Sequence, residues 1–204
     1  PDAIKLVKMP RPHARVAELD LLIALIESPI RFEKIKEVAL RNRAILETLF
    51  ATGMRISELV SLNRDQIDKG GKIFIRGKGK KERFVYLTAR AKKHIDAYTD
   101  IRDDSHQALF IPYRGRNAEK TSSRISTNYV QMKMKEYRTR LGINVPTSPH
   151  SLRHGFATYL AEQGANPAAI QILLGHESLQ TTTRYVHASD RYAEKTHKEF
   201  HPLK

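Results

Sequence analysis

The chain has 204 residues, of which 36 are Lys or Arg and 22 are Asp or Glu, so its formal net charge is +14 and its pI is about 10.0. It contains no Cys, which excludes a disulfide framework and a Cys-based zinc site, and it shows no signal peptide or long apolar run. With 40% hydrophobic residues it can bury a core. We therefore expect a cytoplasmic, folded basic protein that binds nucleic acid, an acidic membrane surface being the lesser alternative.

Two helices are predicted after residues 1–16, a basic segment interrupted by Pro that indicates a linker or strap. Apolar residues recur at helical spacing from Ala17 and predict a helix that stops before Pro29. A longer helix is predicted over about 33–52, and Gly53 ends it. Its expected buried stripe consists of Val38, Ile45, Leu46, Leu49 and Phe50.

Polar residues that can cap helices punctuate the rest of the chain. The predicted caps are Ser57 for a helix over 58–62, Asn63 for one further turn, Thr88 for a helix to about Tyr98, Ser122 or Ser123 for a helix to Leu141, Asn166 for a helix that Gly175 ends, and Ser189 for a last helix to about Phe200. Two alternating runs, 72–76 and 83–87, flank the basic segment 77–82 and predict an antiparallel hairpin with a flexible basic tip. The expected fold class is mainly α with a small antiparallel β-sheet, an α+β arrangement.

Three polar signals lie inside otherwise helical sequence: His150 with Arg153, then His176, then Tyr185. Because Ser148 can cap a helix and Pro149 suits its first position, His150 and Arg153 are expected on one face of a first helical turn, whose free N–H groups suit a phosphate. His176 follows a sharp helix end, and Tyr185 is expected at or near the end of a short helix that Ser178 caps. The four side chains are thus predicted at helix junctions, where a scaffold can aim them at one point.

These residue types suit attack on a phosphodiester. Arg55 and Arg153 would each offer a planar, permanently charged fork to the non-bridging oxygens. The Tyr185 hydroxyl is a candidate nucleophile if one of the two histidines or a cationic field assists it. Lys78 in the hairpin tip is a candidate proton donor to the leaving sugar oxygen.

Each residue alone also has an ordinary structural interpretation. An Arg at a helix bend is usually solvated or a cap, a His on a helix is usually structural, and a Tyr near a helix end usually packs half-buried. The hairpin tip lacks the Gly spacing of a nucleotide P-loop. The chain has nine His, but neither a His-Glu-x-x-His helix nor a nearby carboxylate cluster accompanies them, so no metal and no cofactor is expected.

Five segments, in order, resemble the signature motifs of the tyrosine recombinases, most closely those of Xer-type site-specific recombinases and related integrases. The segments are 51–59 (ATGMRISEL), 75–83 (IRGKGKKER), 149–154 (PHSLRH), 173–176 (LLGH) and 181–185 (TTTRY). The resemblance extends over essentially the whole chain after residue 16. It implies the DNA breaking-rejoining fold of the catalytic domain of that family.

The resemblance also implies a role for each matching residue. Tyr185 would attack the scissile phosphate, form a 3′-phosphotyrosyl bond and release a 5′-hydroxyl, without ATP or metal. The other implied roles are the binding of non-bridging oxygens for Arg55 and Arg153, general acid for Lys78, base or proton carrier for His150, hydrogen-bond donor to the phosphate for His176, and support of the Arg55 region for Glu58.

The same resemblance divides the chain into an interdomain linker or strap (1–16), a catalytic domain (17–188) and a C-terminal helix and tail (189–204). Full-length members carry a core-binding domain before such a linker, so this chain, which starts at Pro1 without Met, is interpreted as the catalytic half. Members act on double-stranded DNA as tetramers, of one protein or together with a paralogue. They donate the last helix to a neighbour; packing of that helix on its own chain is the alternative here.

The leading functional hypothesis is site-specific DNA strand exchange by a tyrosine recombinase. A type IB-like topoisomerase shares the chemistry but relaxes supercoils without exchanging strands. The short single-domain length and the residues of the motifs favour the recombinase. A non-catalytic DNA-binding protein on the same scaffold is the third hypothesis. The presence of Tyr185, Arg55 and Arg153 argues against it.

Overall fold

A computed structural model of the chain describes residues 18–76, 82–114, 123–175 and 186–203, with side chains in the last range from residue 193 onward. The elements are α1 (Leu19–Phe32), α2 (Lys36–Thr52), α3 (Ile56–Ser61), a 3-10 turn (Arg64–Gln66), β1 (Lys72–Arg76), β2 (Glu82–Tyr86), α4 (Ala89–Thr99), α5 (Thr127–Arg140), α6 (Pro149–Glu162), α7 (Pro167–Leu174) and α8 (Val186–Phe200). The prediction of a mainly helical fold with a small antiparallel sheet is confirmed. Within the described ranges, no helix has the length and apolar character needed to cross a membrane.

The first helix runs through Pro29, so the predicted end before this proline is wrong. Proline has no N–H to give to the carbonyl four residues earlier, here that of Leu25. The Ser28 hydroxyl donates to that carbonyl at 2.7 Å instead, which leaves no unsatisfied acceptor inside the helix. Because α1 also buries Leu22 and Ile26 in the core, the helix keeps its last turn beyond the proline.

Helix α2 lies at the centre of the fold and packs against α1, α4 and α6. All residues from 41 to 52 are buried, and the predicted apolar stripe of this helix is confirmed. The helix starts at Lys36, somewhat later than expected, and ends as predicted at Gly53, which has the left-handed φ of 60°. Since α2 is covered on all sides over this stretch, its C-terminal end holds a fixed place for the residues that follow.

The predicted caps divide into correct and wrong assignments. Confirmed are Asn63 before the 3-10 turn, Thr88 before α4, Ser148 before α6 and Asn166 before α7. Two were placed wrongly: α3 is capped at Arg55 and α5 at Ser126, instead of at Ser57 and at Ser122 or Ser123. The last helix begins at Val186, three residues before the predicted Ser189. The short helix expected after Ser178 lies outside the described residues.

The two strands form an antiparallel pair whose register runs from Lys72 opposite Tyr86 to Arg76 opposite Glu82. The second strand therefore lies one residue earlier than predicted. Ile73, Ile75 and Val85 are buried, so one face of the pair packs on the core. The main core gathers residues of α1 to α5 with this sheet face, and a smaller cluster joins β2 to α6, α7 and α8. The hairpin tip, residues 77–81, lies outside the described ranges.

Helix α8 packs on its own chain, against α7 and β2, and its histidines reach the end of α2. His197 Nε2 lies 2.5 Å from the carbonyl of Ala51, and His201 Nε2 lies 3.3 Å from that of Phe50. The backbone N–H of Leu203 donates to His201 Nδ1 at 3.0 Å, so the His201 proton sits on Nε2 and the ring donates to Phe50. Exchange of this helix between protomers, and the domain boundary at 188/189, stay predictions.

The buried histidine pair predicts acid sensitivity. Burial lowers the pKa of His197 to about 4 and, together with the charge of His197, lowers that of His201 to about 3. In the unfolded chain both imidazoles titrate near 6.5. Between these values the unfolded chain binds more protons, so stability that is complete above pH 6.5 falls as the pH drops towards 4, by roughly 2 kcal/mol per imidazole at pH 5.

We expect the melting temperature to fall by several degrees more between pH 7 and pH 5 in the natural chain than in a His197→Gln/His201→Gln variant. The other charged groups that act on His197 are Lys198 and Glu194 of the same helix, and the double variant leaves both residues unchanged. His154→Gln is the matched control, because His154 is exposed. Equal shifts in the double variant and the natural chain would show that the pair does not titrate on unfolding.

Candidate active site

The centre of the candidate site is the carboxylate of Glu58, whose side chain in α3 is 5% exposed. Its Oε2 accepts the backbone N–H of Arg55 at 2.7 Å, and its Oε1 accepts from Arg55 Nη1 at 3.1 Å. A Glu three residues after the cap position closes the first turn of a helix in this way, which explains why α3 is capped at Arg55 and not at Ser57. These two bonds hold the backbone N–H and one guanidinium nitrogen of Arg55, while 40% of its side chain stays exposed to solvent.

A second arginine, Arg83 near the start of β2, forms an ion pair with the same carboxylate. Its Nη1 donates to Glu58 Oε1 and its Nη2 to Glu58 Oε2, both at 2.8 Å, a two-pronged pairing. Burial alone would raise the pKa of Glu58, but the hydrogen bonds and charge of Arg83, and then those of Arg55, outweigh it and hold the pKa below its ordinary value. The carboxylate therefore stays ionised at neutral pH.

Arg153, in the second turn of α6, connects two distant segments. Its Nη1 donates to the carbonyl of Gly53 at 2.5 Å, and its Nη2 donates to the carbonyl of Leu174 at 2.6 Å. Burial, followed by repulsion from Arg55 and Arg83, lowers the pKa of Arg153 to about 10, which still leaves it charged at neutral pH. Arg153 and Arg83 donate to adjacent carbonyls of α7, and Arg83 and Arg55 pair with the same carboxylate, so the three guanidinium groups share one neighbourhood.

The end of α7 completes this neighbourhood. The carbonyls of Leu173 and Leu174 have no partner inside the helix, and they accept from Arg83 Nε at 3.1 Å and from Arg153. The positive charge of the two arginines is also attracted to the partial negative charge at the C-terminal end of the helix dipole. Gly175 then ends the helix with φ 64°, and a Cβ there would lie 3.0 Å from Arg83 Cδ. Gly175 thus lies close beside the Arg83 side chain.

The arrangement concentrates positive charge. Arg55 and Arg83 pair with the Glu58 carboxylate, Arg153 donates to the carbonyl next to the one that Arg83 contacts, and Arg55 is the most exposed of the three. Such a surplus of fixed cations at helix ends binds an anion, and its planar forks match the oxygens of a phosphate. Among the described residues, no group of three His, Cys, Asp or Glu side chains is arranged to hold a metal ion.

The structure brings three of the seven predicted site residues together: Arg55, Glu58 and Arg153. His150 lies exposed in the first turn of α6, three residues before Arg153. Lys78, His176 and Tyr185 lie outside the described residues.

Sequence reasoning missed Arg83 as a member of the site. Its signal was the alternation of β2, which places Arg83 on the same strand face as the buried Val85. A charge on the core face of a strand must find a partner, because an unpaired buried charge is very costly. The acceptor carbonyls of Gly53 and Leu174 had no comparable signal, since any residue carries a carbonyl.

The fold and the site together define a class, the catalytic domains of the tyrosine recombinases. The structure resembles that of XerA recombinase, with a TM-score of 0.69 and 27% identity, over 93% of this chain and 62% of that one. It also resembles XerH site-specific recombinase bound to difH substrate in a pre-cleavage complex, with a TM-score of 0.64 and 26% identity, over 84% of this chain and 47% of that one.

Residues 16–191 match the phage integrase family. Tyrosine recombinase XerC of Chlamydia muridarum (strain MoPn / Nigg) is 35% identical over 201 residues, which cover 96% of this chain and 61% of the relative. The chain belongs to the phage integrase family, and it spans about three fifths of the length of this curated relative.

Gly53 yields a test of how the site is packed. An added Cβ would lie 2.5 Å from the Phe156 ring of α6, in a residue whose φ of 60° already disfavours a side chain. We expect Gly53→Ala to lower the free energy of unfolding by about 3 kcal/mol or more, since strain and overpacking add.

Gly142→Ala is the matched control, because Gly142 has a φ of 68° but nothing within 4 Å of a Cβ. Its cost is the strain alone, about 1 kcal/mol. Urea unfolding of both variants measures the difference. Equal losses would mean that Gly53 is not held against α6.

Proposed function

We propose that this chain is the catalytic part of a site-specific DNA recombinase of Xer type. The observation that carries the proposal is the convergence of Arg55 and Arg153, from α3 and α6, on one cationic neighbourhood beside the end of α7. The motifs that supply Lys78 and His176 adjoin the two strands and α7 in sequence, and the motif of Tyr185 adjoins α8, which packs against α7 and β2. Family membership supports the reaction class.

In the proposed reaction, the Tyr185 oxygen attacks the phosphorus of the scissile phosphodiester. The bond to the 5′ oxygen breaks, that oxygen takes up a proton, and a 3′-phosphotyrosyl bond forms. Attack by the 5′-hydroxyl of a partner strand reverses these steps and releases the tyrosine. Since one ester replaces another at each step, rejoining needs neither ATP nor a metal ion.

The two arginines would stabilise the transition state. Negative charge builds up on the non-bridging oxygens during attack, and fixed guanidinium donors stabilise it without reorganising. Arg55 is placed for this by Glu58, and Arg153 by the carbonyls of Gly53 and Leu174. Two of the five N–H groups that a guanidinium carries are used on these carbonyls, so Arg153 would bind the phosphate with others.

The remaining roles rest on the motif matches. His150 would accept or carry the proton of Tyr185, and its place in the exposed first turn of α6 leaves it accessible to DNA. His176 would donate a hydrogen bond to the phosphate, and Lys78 would protonate the leaving 5′ oxygen. Glu58 would act through Arg55.

The proposed partner is double-stranded DNA, bound by a tetramer of this protein or of this protein and a paralogue. The net charge of +14 supports a DNA partner, and XerH was solved bound to its difH substrate. Phosphate contacts through Lys and Arg release counterions, so binding should weaken steeply with salt. The exchange of α8 between protomers belongs to the same proposal.

Two other functions would use the same scaffold. A type IB-like topoisomerase would form the same adduct but would relax supercoiled DNA without joining strands from different duplexes. A non-catalytic DNA-binding protein would form no adduct. The strand-transfer products and the adduct therefore separate the three.

We expect a covalent adduct when the chain is mixed, with EDTA and without ATP, with a pool of nicked duplexes whose central positions are randomised. Loss of the short fragment beyond the nick traps the tyrosyl intermediate, which survives denaturing electrophoresis and identifies the recovered site by sequencing. Tyr185→Phe should abolish the adduct while DNA binding survives, because only the nucleophilic oxygen is removed.

Tyr159→Phe is the matched control, since Tyr159 is half-buried, packs edge-on against Phe50, and its variant should keep the adduct. An adduct that persists in Tyr185→Phe would place the nucleophile elsewhere. No adduct from the natural chain over the whole pool would contradict the proposal.

Arg153→Lys should lower the rate of adduct formation by about 100-fold or more, because an ammonium cannot donate to both carbonyls and to a phosphate as a planar fork. The loss should appear in single-turnover cleavage at saturating protein, with binding nearly unchanged. Cleavage within a few-fold of the natural rate would show that charge alone suffices and that the fork is not needed.

A further inference from the structure

Arg83 contacts two other elements of the candidate site, α3 and α7, although the proposed reaction gives it no role. It donates to both oxygens of Glu58 in α3 and to the carbonyl of Leu173 in α7, and it stands on the strand that follows the hairpin tip. We propose that Arg83 is a positioning residue that fixes Glu58, and through it Arg55, while it holds the end of α7. This inference rests on the proposed recombinase function.

The contacts of Arg83 favour a structural role, because they use three of its five N–H groups, whereas Arg153 uses two. All three guanidinium nitrogens donate to protein acceptors, at distances of 2.8 to 3.1 Å. The side chain is 9% exposed, whereas that of Arg55 is 40% exposed. Arg83 therefore acts through its neighbours.

The first of these neighbours is Arg55. Glu58 is buried, and it orients Arg55 through the backbone N–H and through Nη1. Without the Arg83 fork the carboxylate would lose its two-pronged partner, and burial would push its pKa up. A carboxyl group that rotates or takes up a proton no longer holds both donors of Arg55 in place.

The second neighbour is the end of α7. Arg83 and Arg153 donate to the successive carbonyls of Leu173 and Leu174, so two arginines from different elements cap one helix end. Gly175 leaves room for the Arg83 side chain, which a Cβ would contact at 3.0 Å. The same side chain thus fixes the position of Gly175 at the end of α7.

The hairpin supplies a matched control. Arg76 of β1 also pairs with a glutamate, Glu82, through two bonds of 3.0 and 2.8 Å, but this pair is exposed, with 69% and 45% of the two side chains accessible. Arg76→Gln therefore removes the same charge from the same hairpin without touching the site.

The test measures single-turnover adduct formation at saturating protein on the nicked duplex recovered from the randomised pool. We expect Arg83→Gln to slow cleavage by about 100-fold, on the scale that a misplacement of 1 Å costs. Arg83→Lys should stay at least about 10-fold slow, because it restores the charge but not the fork. Arg76→Gln should cleave within about twofold of the natural chain at saturation.

A double variant shows whether Arg83 acts through Glu58. Arg83→Gln/Glu58→Gln should be no slower than the slower single variant, since the two residues belong to one unit. If the rate losses of the two single variants multiply in the double variant, the proposal is wrong. It is also wrong if Arg83→Lys cleaves at the natural rate.

A measurement without DNA separates this inference from the proposed function. In amide NMR spectra the Arg55 proton, bonded to the Glu58 carboxylate at 2.7 Å, should shift upfield in Arg83→Gln and in Arg83→Lys, but not in Arg76→Gln. An unchanged Arg55 signal in folded Arg83→Lys would overturn the positioning role even if the adduct forms. Conversely, a chain that forms no adduct but shows the shift would contradict the recombinase function and keep the positioning role.

Discussion

The structure of the site depends on one buried carboxylate. Glu58 accepts four hydrogen bonds, two from Arg83 and two from Arg55, and it is the counter-charge that allows three arginines to lie close together. A buried ion pair is not by itself a source of stability, because desolvation offsets the attraction. Removal of one partner, however, leaves the other charge buried and typically costs about 3 to 5 kcal/mol. The pairing therefore serves to fix the positions of the Arg55 and Arg83 side chains rather than to add stability.

A second constraint recurs at the ends of helices. The last carbonyls of α7 accept from Arg83 and Arg153, the carbonyl of Gly53 just beyond α2 accepts from Arg153, and those of Phe50 and Ala51 in its last turn meet the two histidines of α8. Helix C-termini always leave such acceptors free, and donors that carry positive charge suit them best. The site is therefore built around the free carbonyls at helix C-termini. Helix α8 contacts the C-terminal end of α2, the same end that Arg55 follows.

Local signals predicted much of the fold. Gly53, Thr88, Ser148 and Gly175 marked helix ends correctly, because caps and left-handed turns depend on the residue itself. The proline in α1 misled the prediction, since the compensating bond from Ser28 depends on a side-chain choice that periodicity does not reveal. Arg55 and Arg153 were recognised by their motifs, but Arg83 was not, because its importance comes from partners 25 and 90 residues away in the sequence.

The proposed function requires that Arg55 and Arg153 bind the same phosphate group. The most direct measurement is a crystal structure of the Tyr185→Phe chain on the duplex recovered as an adduct. We expect both guanidinium groups to donate to non-bridging oxygens of the phosphate at the cleavage position, with Glu58 still paired to Arg83. Guanidinium groups that contact two different phosphates, or an Arg153 that reaches only the backbone carbonyls, would contradict it.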